Sequence, residues 1–66
     1  MRIATQKINI ALAKKGLTRS DLAKRAQMSR QNISTILTRG TCEPRTLGKL
    51  ALALEVDVED LIAKEN

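Results

Sequence analysis

Histidine and all three aromatic residues are missing from this 66-residue sequence, and cysteine and proline occur once each. Each absence removes a class of chemistry. Without His and with one Cys, neither a zinc site nor a Cys–His nucleophile can be assembled. Ser20, Ser29 and Ser34 have no imidazole base to activate them, and so short a chain encloses no sizeable pocket. Catalysis is therefore not expected, nor is a metal or a cofactor. Cys42 cannot close an internal disulfide, which agrees with a reducing compartment. It reads as an ordinary loop residue or as an exposed redox switch. Without Phe, Tyr or Trp there is no ring on which the bases of a single strand could stack.

Long apolar runs are also lacking. None approaches the roughly 20 residues of a membrane span, and "MRIATQKINI" holds no continuous apolar block or small-residue cleavage site. No membrane partner is expected, and a cytoplasmic location is. Acidic residues are scarce over most of the chain. Residues 1 to 50 carry eleven Lys/Arg against Asp21 and Glu43, a net +9, whereas residues 51 to 66 carry Lys64 against five acids, a net −4. Such polarity suits a molecule with one face turned to a polyanion and another kept away from it. With stacking excluded, the favoured polyanion is duplex DNA. The bland alternative is a merely solvated basic surface.

What is present is helical. At 42% hydrophobic and 29% charged, the composition fits one small globular domain over residues 1–66. Apolar spacing predicts five short helices and no repeat. The first is expected from about Ile3 to Lys15, with Ala4, Ile8, Ala11 and Leu12 inward and a stop at Gly16. In the second, Thr18 and Asp21 have the spacing of a capping box, and Leu22, Ala23 and Ala26 face inward. It is too short to be stable alone, so tertiary packing must hold it. The third begins after Ser29 as N-cap and runs to about Thr38, with Ile33, Ile36 and Leu37 inward. Pro44 suits the first turn of the fourth, where Leu47, Leu50, Ala51 and Leu54 recur at helical spacing. The fifth is expected to start at Asp57 and to bury Val58, Leu61 and Ile62.

The second and third helices, over about residues 18–38, have the arrangement of a helix-turn-helix. Ala23 and Ala26 let the third helix cross closely, so that its first turn projects toward a groove about 12 Å wide. That turn displays Arg30, Gln31 and Asn32, away from the apolar stripe, as is Thr35. Arg can hydrogen-bond guanine, and Gln or Asn adenine.

The pieces "GLTRSDLAKRAQMSRQNISTI", "RGTCEPRTLGKLALAL" and "VDVEDLI" together resemble the Cro/CI-type, or XRE, helix-turn-helix family of phage and bacterial repressors, over roughly Ile8 to Ile62. The resemblance implies an all-α, five-helix, lambda-repressor-like DNA-binding domain. It implies that Arg30, Gln31 and Thr35 face the major groove with Asn32 beside them. Arg19 stands where relatives usually have a Gln that meets a phosphate, and Ser29 joins the backbone-contacting set. Arg39 and Thr41 sit where the loop after the third helix approaches the opposite phosphate strand. Arg45, directly after Pro44, is expected over the minor groove, and Lys14 is a further phosphate candidate. Lys7, Lys24, Arg25, Lys49 and Lys64 read as solvated surface.

The chain departs from the family pattern at Gln27 and Glu55, which replace frequent glycines. If either adopts positive φ, it carries a cost of roughly 1–2 kcal/mol. Leu12 and Leu37 stand where many relatives pair Arg with Glu, an exchange that is often neutral or stabilising, and the two leucines are expected to touch. Ile3, Ile10 and Leu52 are not needed for the core, and read either as scattered exposed residues or as part of a subunit contact. The implied function is a sequence-specific duplex-DNA-binding transcriptional regulator, a phage- or mobile-element-type repressor that binds a palindromic operator as a homodimer. One alternative is an antitoxin that represses its own operon. Another is a helical protein-interaction module without DNA binding, against which stand the basic residues at both ends of the helix-turn-helix.

Overall fold

A computed structural model describes residues 1–63. Four α-helices follow one another: α1 (Thr5–Lys15), α2 (Arg19–Ala26), α3 (Arg30–Arg39) and α4 (Pro44–Leu54). The expected fifth α-helix is instead one 3-10 turn, Val58–Leu61. Its hydrogen bonds run three residues back, from Asp60 N–H to the Asp57 carbonyl at 3.0 Å and from Ile62 N–H to the Glu59 carbonyl at 3.4 Å. Asp57 precedes it without a side-chain cap bond, and Ile62 is already extended at φ −83°, ψ 133°. The turn cannot lengthen because Ile62 is drawn into pairing with Ile3.

That pairing also moves the start of the first helix. Residues 1–3 are extended, not helical, and lie between the α3–α4 loop and the C-terminal segment. Ile3 N–H donates to the Gly40 carbonyl at 2.9 Å, Ala4 N–H to Leu61 at 2.7 Å, Cys42 N–H to Met1 at 3.0 Å and Ala63 N–H to Arg2 at 3.2 Å. Ile3, read from the sequence as dispensable to the core, is buried. Val58, expected inside, is exposed, while Leu61 is buried and Ile62 half-buried. Ile10 and Leu52 are exposed.

The helices form for the reasons their sequences suggest. α1 ends at Gly16 with φ 67°, whose N–H reaches back to the Ala13 carbonyl. α4 opens on Pro44 at its first position. The core they enclose is aliphatic throughout: Ile8, Leu22, Ile33, Leu47, Leu50, Leu54 and Leu61 are fully buried, each contributing about 1.5–3 kcal/mol relative to exposure. Leu12 and Leu37 lie in this same cluster, not on separate surfaces. Among the described residues no polar or charged residue is buried, so any polar chemistry belongs to the surface. Also among them, no helix is long and apolar enough to cross a membrane. Lys64 lies outside the described residues.

Gln27 and Glu55 both take the left-handed conformation, at φ 57° and 58°. Lys15 Nζ lies 3.4 Å from Glu55 Oε2, but with the Glu55 side chain 70% exposed the pair offsets little of the strain. Gln27 is exposed, and no side-chain hydrogen bond compensates its backbone strain among those found in the described residues. Gln27→Gly should therefore raise the unfolding free energy by up to about 1 kcal/mol, the relief of strain being partly offset by a more flexible unfolded chain. Thermal unfolding checks this: a rise of a few degrees is expected, and an unchanged or lower midpoint would contradict it.

Candidate nucleic-acid interface

The interface begins with how α2 and α3 are held. Thr18 Oγ1 accepts from Asp21 N–H at 3.1 Å while Asp21 Oδ2 accepts from Thr18 N–H at 2.9 Å, a complete capping box. These hydrogen bonds, with Lys24 and Arg25 nearby, hold the Asp21 carboxyl below its ordinary value of 3.8. On the inner side, Ala23 and Ala26 are buried, and α2 packs against both α3 and α4. Small residues at that crossing allow the close approach expected of a helix-turn-helix. Gln27 turns the chain, and Met28 N–H bonds back to the Ala23 carbonyl at 2.9 Å. Ser29 then caps α3, its Oγ accepting from Asn32 N–H at 3.1 Å.

Burial fixes the rotation of α3. Ile33 and Leu37 are buried and Ile36 is half-buried. At about 100° per residue, Gln31 lies some 200° from Ile33 and Thr35 some 200° from Leu37. Gln31, Thr35 and Arg39 thus follow one another at intervals of four along the outer face, and all three are exposed. Arg30 and Asn32 flank the start of this line, also exposed. The far end of α3 is tied to the body: Thr5 Oγ1 donates to the Leu37 carbonyl at 3.2 Å, and Gly40, at φ 72°, closes the helix with a bond to the Ile36 carbonyl.

Thr41 and Arg45 lie near that end, whereas Arg19 and Ser29 stand at the starts of α2 and α3. Thr35, Arg39 and Thr41 line one shallow hollow together with Met1, Ile36, Cys42, Glu43 and Pro44. Arg45 is exposed on the first turn of α4, next to Pro44. Arg19 is exposed at the first position of α2. Ser29 is exposed too; its oxygen accepts the cap bond, which leaves the hydroxyl proton free to donate. Lys14 is placed elsewhere. It borders a groove between α1 and the 3-10 turn with Lys7, Ile10, Lys15, Glu55 and Asp60.

Cys42 is half-buried against the core. Burial pushes its thiol pKa up and Glu43 acts in the same direction, while the amino terminus pulls it down. A thiol so placed carries little thiolate at neutral pH, which suits the ordinary loop reading better than a reactive one. Among the described residues, no three His, Cys, Asp or Glu side chains converge as metal ligands. The N-terminal segment, which was not expected from the sequence, lies beside the hollow. The only local signal was the alternation of Met1, Arg2 and Ile3, three residues being too few to tell a strand from the start of a helix.

Asp21 gives the interface an acid-sensitive support. Because its folded pKa is depressed, the stabilisation is fully present above the unfolded value and disappears as pH falls through the lower folded value. Asp21→Asn should therefore be less stable than the wild type at pH 6, with the gap narrowing as pH falls below the carboxyl's ordinary value of 3.8. Thermal unfolding across that range checks this, and a gap that stayed constant would contradict it.

Comparison with known proteins agrees with this geometry. A family model described as Cro/C1-type HTH DNA-binding domain matches residues 7–65, so the match takes in α2, α3, the loop after them and α4 whole. A search of curated proteins finds no match.

Proposed function

The chain belongs to the Cro/C1-type helix-turn-helix DNA-binding domains, and we propose that it is a sequence-specific transcriptional regulator, a cytoplasmic repressor of phage or mobile-element type. The observation that carries this reading is the outward line of Gln31, Thr35 and Arg39 on α3, opposite the buried Ile33 and Leu37. A helix anchored by one face and polar along the other suits insertion into the major groove. In this reading residues 1–66 act as one domain, with the helix-turn-helix over about residues 18–38.

Arg30, Gln31, Asn32 and Thr35 carry sequence readout. Gln31 and Asn32 can pair bidentately with adenine, and Arg30 with guanine. Arg19, Ser29, Arg39 and Thr41 hold phosphates and set the register, with Lys14 as an outlying contributor, and Arg45 reaches the minor groove. The acidic 3-10 segment, with exposed Asp57, Glu59 and Asp60, favours an orientation that keeps it away from the phosphates.

Size supports a two-copy complex. The molecule measures 32 × 22 × 18 Å, and successive major grooves on one face of the duplex are about 34 Å apart. One copy presents one α3, so in this reading a homodimer would set its two copies of α3 in adjacent grooves of a palindromic operator. Bound across a promoter, such a dimer would exclude polymerase by volume.

Gln31→Ala should relax sequence preference, with about 1–3 kcal/mol of discrimination lost at one base pair. Arg39→Ala should weaken binding to every duplex alike. Affinities for a selected site and for scrambled duplexes check both; the opposite pattern would overturn the division between reading and positioning residues.

A further inference from the structure

Arg2 has no role in the functional reading above, yet the fold carries it to the edge of the interface. The backbone pairing of residues 1–3 decides where its side chain goes. Arg2 and Thr41 form an antiparallel bridge, and residues paired in this way project to the same side, with Cβ atoms about 4.5–5.5 Å apart. Along an extended segment alternate residues face opposite ways. Ile3 is buried at 5% exposure, so Arg2 is turned outward, beside Thr41. Thr41 lines the hollow that Thr35 and Arg39 share, and Met1 borders it as well. Four hydrogen bonds fix the register on this side and the other: Ile3 N–H to Gly40, Cys42 N–H to Met1, Ala4 N–H to Leu61 and Ala63 N–H to Arg2.

We infer that Arg2 is a further backbone-contacting residue, placing a guanidinium on the phosphate strand approached by Arg39 and Thr41. The inference rests on the DNA-binding reading and extends its phosphate-contacting set to the N-terminal segment. Arg2 also engages a partner within the protein. A guanidinium has five N–H donors, enough to keep an internal contact and grip a phosphate oxygen at once. The pairing that buries Ile3 thus gives the segment a second effect: it adds a cation at the end of the recognition helix without lengthening the loop.

The test measures binding of the full chain to a random-sequence duplex between 50 and 200 mM salt for the wild type, Arg2→Gln and Arg2→Lys, with thermal unfolding of each. The bridges use backbone atoms, so Arg2→Gln is expected to fold. Loss of one phosphate contact should reduce the slope of log affinity against log salt by about 0.9, so that over this range the wild type loses roughly 3.5-fold more affinity than Arg2→Gln. Arg2→Lys should restore most of the slope. A folded Arg2→Gln with the wild-type slope and affinity would overturn the inference while leaving the DNA-binding reading intact. A wild type whose duplex binding ignores salt would overturn both.

Discussion

Burial of Ile33 and Leu37 orients everything else on α3. A ten-residue helix has little stability of its own and could settle at any rotation if its inner face were indifferent. Two aliphatic side chains held in a core that has no polar member among the described residues leave one rotation, and that rotation turns Gln31, Thr35 and Arg39 to solvent. Ala23 and Ala26 on α2 complete the constraint by letting the helices meet closely. The polar face is therefore a consequence of the apolar one: packing alone sets which side chains α3 turns outward.

Both ends of α3 are held as well. Its start is held by Ser29 as cap and, one helix earlier, by the reciprocal Thr18–Asp21 bonds. Its finish is held by Thr5, by Gly40 and by the N-terminal segment laid along residues 40–42. Anchoring at both ends reduces the conformational entropy that binding must overcome. The left-handed Gln27 and Glu55 run against this economy, keeping backbone strain at the two turns where glycine would be easier.

Much of this was legible in the sequence because it depends on local chemistry. The caps at Thr18 and Ser29, the Gly16 stop, Pro44 at a helix start and the apolar spacing of α2 and α4 are all properties of a few neighbouring residues, and each stands in the fold. The outward placement of Arg30, Gln31, Asn32 and Thr35 followed from the spacing of Ile33 and Leu37. What escaped was non-local. Ile3 is buried by partners about 37 and 59 positions away along the chain, which no periodicity within α1 could reveal. The same pairing shortens the C-terminal element to a 3-10 turn and leaves Val58 outside. Concavity was equally hidden: Thr35 and Thr41 share a hollow with Met1, whereas Lys14, one more lysine in a basic sequence, falls in a separate groove with Glu55 and Asp60.

In the proposed complex the first turn and outer line of α3 would meet the major groove while the acidic 3-10 segment stays clear. Backbone amide chemical shifts of the labelled protein, followed during titration with a short duplex, test this placement most directly. The largest changes are expected at residues 29–35, 39–41 and 45, with residues 57–60 nearly still. Changes centred on the exposed Ile10 and Leu52, with residues 29–35 unmoved, would contradict it.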